Sequence, residues 1–351
     1  MVMLNRLDQQ LVVRPQDVAA SSDAMEVIGT FNPGAAEYGG EVVILVRVAE
    51  RPCEERPGYV ALPRWSDGGV VVDWMAEDQV RLLDPRVVER NEDGLLRLTF
   101  TSHLRVVRSR DGRTVDRFDG PVFAPEMPWE EYGVEDPRIV AIDGRYWITY
   151  VAVSRHGAAT ALASTADFET FQRHGIIFCP ENKDVVLFPE KIGGQYAALH
   201  RPTTAHPFCR PEIWFARSPD LLHWGGHQVV HGGSSNWETG RVGAGVPPLR
   251  TEQGWLEIYH ASRRSTEPGK VGTYVGGIML LDLENPAVVR NYRPDPLWEP
   301  DMPYELEGFV PGVVFPTAVV ERGDRLQMYY GAADTYTAMV EFDREELLAA
   351  A

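Results

Sequence analysis

Asp136 stands in the segment YGVEDPRI, with Tyr132 and Val134 before it and Pro137 after it. Such neighbours predict a carboxyl in a partly apolar setting, where burial disfavours the charged form and raises the pKa towards that of a general acid. An Asp before Pro also initiates turns, and the local sequence accommodates both readings. A second carboxylate of matching character is not evident. Ordinary glycoside hydrolysis needs an acid together with a base or a nucleophile. If the attacking group is itself an anion such as phosphate, one acid suffices, and the protein must instead supply cations to hold the anion. Lys183 in PENKDVVLFPEKI and Arg201 in ALHRP are cations so placed, because charge-assisted hydrogen bonds from Lys and Arg recognise phosphate. Taken singly, either would equally serve as a solvated surface charge.

Other patterns carry less chemistry. His223, His227 and His231 recur at the spacing that stacks metal ligands on a helix face, yet Gly225-Gly226 interrupts the run and Val229-Val230 favours a strand. GRVGAGVPP, from Gly240 to Pro248, looks like a phosphate-cradling loop, but no Gly-Lys-Ser/Thr follows it. Cys53, Cys179 and Cys209 are odd in number and far apart, which predicts reduced thiols rather than a disulfide framework or a Cys-x-x-Cys site. No metal and no cofactor are expected.

The elements that must position these residues are short. Gly (32) and Pro (26) are spread along the chain and punctuate runs of Val, Ile, Tyr, Trp and Phe, the pattern of many short strands. One unit recurs: an X-Pro step, a strand, a Gly-containing turn and a second strand. Its copies are NPGAAEYGGEVVILVR, DPRIVAIDGRYWITY, FPEKIGGQYAALHR, PPLRTEQGWLEIYH and FPTAVVERGDRLQMYYG. The X-Pro step imposes an extended start, and Gly supplies the positive φ of tight hairpins. Between copies lie RSRDG, ASTADF and ARSPDLLHW, which share a Ser-x-Asp flavour. About four strands per repeat is the size of a propeller blade. The expectation is an all-β, five-bladed β-propeller forming a single domain over residues 1–351, with a β-sandwich as the alternative. The first interval between repeats is too long, so roughly 51–97 is read as an insertion that enlarges the first blade. The part near Trp65 to Arg90 is a contact surface or a lid over the channel. Helical periodicity appears at DREELLAAA, predicting a C-terminal helix over roughly 343–350, and around Asp78 to Arg90.

In a propeller the leading residues of each repeated hairpin meet at one mouth of the channel. They are Asn32, the pair Glu135-Asp136, Lys183 with Asp184, Arg241 and, after the last unit, Asp334. Convergent carboxylates, amides and cations of this kind hold a sugar or a small anion.

Composition sets the outer limits. There are 34 Lys plus Arg against 51 Asp plus Glu in 351 residues, a formal charge of −17. A body of that sign repels nucleic-acid backbones and anionic membranes. With 44% hydrophobic and 24% charged residues the chain is globular in type. No window approaches the roughly 18 uninterrupted apolar residues of a membrane span, and MVMLNRLDQQLVVRPQD lacks a signal-peptide core, so a cytoplasmic protein is expected.

The segments EVIGTFNPGAAEYGGEVVILVRVAE, YGVEDPRI, PENKDVVLFPEKI, YAALHRP, GRVGAGVPPLRTEQGWLEIYHA, YVGGIMLLDLENP and VVFPTAVVERGDRLQMYYGAADT together resemble glycoside hydrolase family 130, the inverting β-mannoside phosphorylases. The likeness runs from about Met25 to Thr335 and is greatest to the β-1,2-mannobiose and β-1,2-oligomannan members. It implies a five-bladed propeller and a glycosyltransferase-type phosphorylase. Inorganic phosphate, as co-substrate, attacks the anomeric carbon of the non-reducing mannosyl unit and releases α-mannose 1-phosphate. Asp136 matches the family's general acid, whose proton passes through a hydroxyl of the mannosyl ring. By the same resemblance Lys183, Arg201, Tyr274 and His260 bind phosphate. Asn32, Arg47, Asp184 and Asp334 position the mannosyl group, and His103 in TSHL faces the leaving sugar. Val275 stands where many relatives carry Arg. The resemblance also implies carbohydrate and phosphate as the only partners, apart from a homo-oligomer. The other readings are a β-mannoside hydrolase of the same fold, a phosphorylase for β-1,4-mannosides and a carbohydrate-binding propeller without turnover.

Overall fold

Runs such as EVVILVRVAE cannot bury both faces within one hairpin, so the hairpins stack into antiparallel sheets with shared cores. The computed structural model describes residues 4, 6–203, 209–233, 237–267 and 271–351; the start of the N-terminal segment read above for a signal lies partly outside them. Among the described residues, five sheets of four or five strands dominate. Sheet I consists of Met25–Tyr38, Glu41–Pro52, Thr101–Ser109 and Arg117–Phe123. Sheet II consists of Gly133–Ile142, Arg145–Ser154, Gly157–Thr165 and Gln172–Phe178. Sheet III runs through Asn182–Leu187, Tyr196–Pro202, Glu212–Ser218 and Gly225–Gly232. Sheet IV is led by Arg241–Ala244, followed by Trp255–Ser262, Tyr274–Leu281 and Val289–Tyr292. Sheet V contains Val314–Arg322, Arg325–Ala332 and Tyr336–Asp343, and the N-terminal strand Asp8–Val13 completes its outer edge.

Apolar clusters lie between successive sheets. Val43, Leu45, Val134 and Ile148 join I to II; Val140, Leu162, Val185 and Ala198 join II to III. Val186, Phe215, Val242 and Tyr259 join III to IV; Leu256, Ile278, Leu326 and Tyr330 join IV to V. A further cluster, with Ile44, Val42, Val320 and Met339, joins V back to I. The strands leading sheets I, II and V also pack on one another.

The Ser-x-Asp segments make the turns into each outer strand. Oδ1 of Asp111, Asp167 and Asp220 each accepts two backbone N–H bonds from the residues just beyond. Asp282 repeats this Asx turn in sheet IV at 2.9 and 2.8 Å. The X-Pro step lies inside the leading strand of sheets I, II and V, at Pro33, Pro137 and Pro316. In sheets III and IV the leading strand instead ends before Pro189 and Pro248. The residue before Pro is extended at the exit of a strand as readily as at its entry, so the dipeptide alone does not set the phase.

Between the second and third strands of sheet I, the insertion forms a hairpin (Tyr59–Ser66 and Gly69–Ala76) and a small sheet (Val80–Asp84, Val87–Arg90 and Leu96–Leu98). The helix expected around Asp78 to Arg90 is absent: a single 3₁₀ turn and two strands stand there, although Val80, Leu83 and Val87 recur at i, i+3 and i+7. The C-terminal helix spans Arg344–Ala350, capped by Asp343 Oδ1 on the N–H groups of Glu345 and Glu346. Among the described residues no helix is long and apolar enough to cross a membrane.

Candidate active site

The leading strands of sheets I, II and III share one local deformation. Asn32, Asp136 and Asp184 adopt left-handed φ values of 49°, 48° and 53°, each at a register shift against the next strand. Asn and Asp tolerate this region better than other side-chain-bearing residues, and a bulge of this kind re-aims a side chain out of the pleat. The Pro that follows Asn32 and Asp136 has no N–H to donate, and a bulge needs none. Three polar residues are thereby turned into one space. Asp334 (φ 47°) joins them from the turn between the second and third strands of sheet V.

Asp136 is buried, and its Oδ1 accepts from Asn32 Nδ2 at 2.9 Å and from Arg47 Nη1 at 2.8 Å. Arg47 Nη2 donates to Glu135 Oε1 at 2.7 Å, and its Nε donates to Ser102 Oγ at 3.1 Å. Its guanidinium lies 4.5 Å from the centre of the Phe31 ring. Lys183 Nζ lies 3.9 Å from Glu135 Oε2. Burial alone would raise the Asp136 pKa, but Arg47, Arg138, the Asn32 hydrogen bond and Lys183 outweigh it and hold the carboxyl below its ordinary value. This corrects the expectation from YGVEDPRI: the flanking residues suggested an apolar setting, whereas Arg47, Asn32 and Lys183 reach the carboxyl from other strands and only Arg138 acts from its own.

The carboxyl that is raised is Asp334, pushed up to about 6 by burial and by Asp136 and Glu135, against the pull of Arg86 and Arg47. The site therefore contains a second acid of the kind the sequence did not reveal. Glu257 is also raised: burial pushes it well above its usual value, and one of its oxygens accepts from Gly245 N at 3.1 Å.

Asp184 anchors the cationic side. Its Oδ2 lies 2.7 Å from Arg201 Nη1 and 3.1 Å from His260 Nε2, and its Oδ1 lies 4.0 Å from Arg138. Desolvation opposes its charge, but Arg201, His260 and Arg138 together hold it far below the normal range. Arg201 also donates to Thr203 Oγ1 at 3.2 Å. His260 is fully buried with its ring 4.0 Å from that of Phe315, and burial pushes its pKa down against the pull of Asp184. The Tyr274 ring lies 6.1 Å from His260. The structure thus brings together Asn32, Arg47, Asp136, Lys183, Asp184, Arg201, His260, Tyr274 and Asp334.

His103 does not join them. In sheet I Arg47 pairs with Leu104, and Val48 pairs with His103; alternation therefore sends Arg47 and Ser102 to one face and His103 to the other. The imidazole is fully buried, held at a pKa of about 3 by desolvation and Arg105, and accepts from Arg105 Nε at 3.3 Å. Arg241 is exposed. The three spaced histidines diverge. His223 pairs with Asp220, His227 with His200, and His231 with Glu238. Among the described residues no cluster of His, Cys, Asp and Glu is placed to hold a metal.

Two site residues escaped sequence reasoning. Arg138 donates from Nη1 to the Asp136 carbonyl at 2.9 Å and from Nε to the Gly245 carbonyl at 2.6 Å, locking the bulge to sheet IV. Arg86, from the insertion, lies 3.7 Å from Asp334 Oδ2. A signal was present: Asp84-Pro85-Arg86 repeats the Asp136-Pro137-Arg138 triplet.

Carboxyls interleaved with Lys and Arg in this way suit a neutral polyol beside an oxyanion. The profile of glycoside hydrolase family 130, described as β-1,4-mannooligosaccharide phosphorylase, matches residues 97–351. A β-1,2-mannobiose phosphorylase of Listeria innocua is 39% identical over 98% of this chain and 97% of its own length. A 1,2-β-oligomannan phosphorylase of a Thermoanaerobacter species is 36% identical over 71% of this chain and 81% of its own. The solved structure of the Listeria innocua enzyme with β-1,2-mannobiose superimposes with a TM-score of 0.90, covering 97% of this chain and 96% of that one. The chain belongs to glycoside hydrolase family 130.

Proposed function

We propose that this protein is an inverting β-mannoside phosphorylase. It cleaves β-1,2-mannobiose or a short β-1,2-mannooligosaccharide with inorganic phosphate and releases α-mannose 1-phosphate. The observation that carries the reading is the juxtaposition of Asp136 with the cationic group built on Asp184, in a chain 39% identical along almost its whole length to a β-1,2-mannobiose phosphorylase.

In this reading Lys183, Arg201, Tyr274 and His260 hold phosphate, while Asn32, Arg47, Asp184 and Asp334 position the mannosyl unit. A phosphate oxygen forms a bond to the anomeric carbon from the face opposite the leaving sugar, and the bond from that carbon to the bridging oxygen breaks. The bridging oxygen takes its proton from a mannosyl hydroxyl, which is reprotonated by Asp136. Asp136 is held ionised in the free protein. Phosphate brought against Lys183 adds negative charge and weakens the cationic pull on the carboxyl, which moves its pKa upward, towards the protonated form the relay needs. No cofactor enters this scheme.

The five sheets and the apolar clusters between them support a five-bladed β-propeller in one domain over residues 1–351. The β-1,4 description of the family profile makes β-1,4-mannobiose the natural competing substrate. A hydrolase is the second reading, favoured by the presence of Asp334 with its raised pKa near Asp136, since two carboxyls can activate water. One experiment separates these: incubation with β-1,2- or β-1,4-mannobiose, with and without phosphate. Mannose 1-phosphate formed from the β-1,2 substrate only with phosphate is the expected result. Free mannose at the same rate without phosphate overturns it in favour of the hydrolase.

A further inference from the structure

Arg86 reaches the site from the insertion, outside the residues that match the family profile. It sits at the turn between Val80–Asp84 and Val87–Arg90 and is clamped by Asp84, whose Oδ1 accepts from Arg86 N at 2.8 Å and Nε at 3.2 Å and whose Oδ2 accepts from Nη2 at 3.2 Å. The insertion is itself docked. Trp65 donates from its backbone N to the Glu131 carbonyl at 2.7 Å and from Nε1 to Thr101 Oγ1 at 2.8 Å, and Arg97 donates to the Leu62 carbonyl at 3.0 Å. The guanidinium is therefore delivered at a fixed place, with its side chain 27% exposed and that of Asp334 17% exposed.

Charge balance shows why a cation is needed there. Glu135, Asp136 and Asp334 share one region, and the groups acting on Asp334 are Arg86, Arg47, Asp136 and Glu135. Arg47 is already committed, with Nη1 on Asp136, Nη2 on Glu135 and Nε on Ser102. Of the two cations acting on Asp334, Arg86 is the one not engaged with Asp136 and Glu135. The 3.7 Å separation from Asp334 gives attraction without a direct hydrogen bond, so the guanidinium keeps a donor and the carboxylate an acceptor for a third group. A hydroxyl is the group that accepts from one and donates to the other.

We propose that Arg86 and Asp334 form a donor–acceptor pair for a hydroxyl of the mannosyl unit, making the insertion part of the substrate site and Arg86 a specificity-determining residue. This rests on the mannoside reading above. Asp334 accepts most strongly when ionised, and Arg86 favours that form, so loss of Arg86 moves the acidic limb of activity to higher pH.

The test is the steady-state kinetics and pH profile of Arg86→Gln and Arg86→Lys with β-1,2-mannobiose and phosphate, with thermal melting as the check on folding. Arg86→Gln is expected to lower kcat/KM for the mannoside roughly 10- to 100-fold, the range for loss of a charged hydrogen bond. The phosphate KM should change little, the acidic limb should rise and Arg86→Lys should recover part of the loss. An unchanged kcat/KM, or a loss with an unmoved acidic limb, overturns the proposal and leaves Arg86 an anchor of the insertion. If the wild-type protein forms no mannose 1-phosphate, the phosphorylase reading has failed instead. Calorimetric titration of wild type and Arg86→Gln with β-1,2-mannobiose then still decides the pair: equal affinity overturns it and weaker binding by the variant supports it.

Discussion

The side-chain amide of Asn32 donates to Oδ1 of Asp136 at 2.9 Å, joining two left-handed bulges that lie 104 residues apart in the chain. The same Oδ1 accepts from Arg47, so the carboxylate is oriented from two strands of sheet I while its own strand belongs to sheet II. Non-glycine residues in this backbone region cost about 1–3 kcal/mol each and persist where the surroundings over-determine them. Here the surroundings are the pairings that aim the acid.

Asp136→Asn removes the transferable proton but keeps a side chain of the same shape beside Asn32 and Arg47. Turnover should fall by roughly 10²- to 10⁴-fold, the usual contribution of a general acid, with the far-ultraviolet dichroism of the wild type preserved. Activity within a few-fold of wild type would remove Asp136 from the acid role.

Gly331 tests the positioning of Asn32 without touching a proposed reacting group. A Cβ built there overlaps Oδ1 of Asn32 in a backbone conformation that is itself unstrained. Gly331→Ala should therefore displace the Asn32 amide, cost about 1–3 kcal/mol of stability by overpacking and reduce kcat/KM. Gly225→Ala, where a Cβ meets nothing within 4 Å, is the control and should leave both unchanged. Equal behaviour of the two variants would refute the steric link.

Much of this site is legible in the sequence because Asn32-Pro33 and Asp136-Pro137 are local signals for a bulge within a leading strand, and Lys183-Asp184 follows in the third repeat. The environment of Asp136 is not legible in this way. Its pKa is set by Arg47, Arg138 and Lys183, of which only Arg138 is local, and its orientation emerges only once Pro137 occupies the bulge. His103 fails for a similar reason: its face depends on the register that pairs it with Val48, and a shift of one residue reverses the outcome. Asp282 supplies the Asx turn of sheet IV with Leu280 where Asp111, Asp167 and Asp220 have Ser109, Thr165 and Ser218 two residues earlier, so a motif search keyed on a hydroxyl at that place passes over it.

Asp334 and Asp184 give opposite pH dependences. The Asp334 pKa rises from 3.8 to about 6 on folding, so between these values the folded protein holds a proton that the unfolded chain has released. Stability falls as pH rises through that window and levels off above it, by ~3 kcal/mol for a shift of about two units. Asp184 is depressed, so its contribution is full above the unfolded carboxylate pKa and is lost as pH falls below it. Asp334→Asn should therefore raise the melting temperature at pH 8 more than at pH 5, while lowering activity at both. An equal change in melting temperature at the two pH values would show that Asp334 is not a strained ionised carboxylate.

Arg201→Lys separates phosphate binding from the integrity of the site. Arg201 Nη1 lies 2.7 Å from Asp184 Oδ2, and the side chain is nearly buried. Removing the cation outright would leave Asp184 short of a partner and cost several kcal/mol through the uncompensated charge. Lys preserves the charge but not the planar fork that lets one guanidinium pair with Asp184 and still present N–H groups to an oxyanion. The phosphate KM should rise at least roughly 10-fold, the worth of one charge-assisted hydrogen bond, while the mannoside KM changes much less. Initial rates over a phosphate series at saturating β-1,2-mannobiose give the answer. An unchanged phosphate KM would place the anion elsewhere, whereas a selective rise would assign to Arg201 the side of the pocket from which the nucleophile approaches.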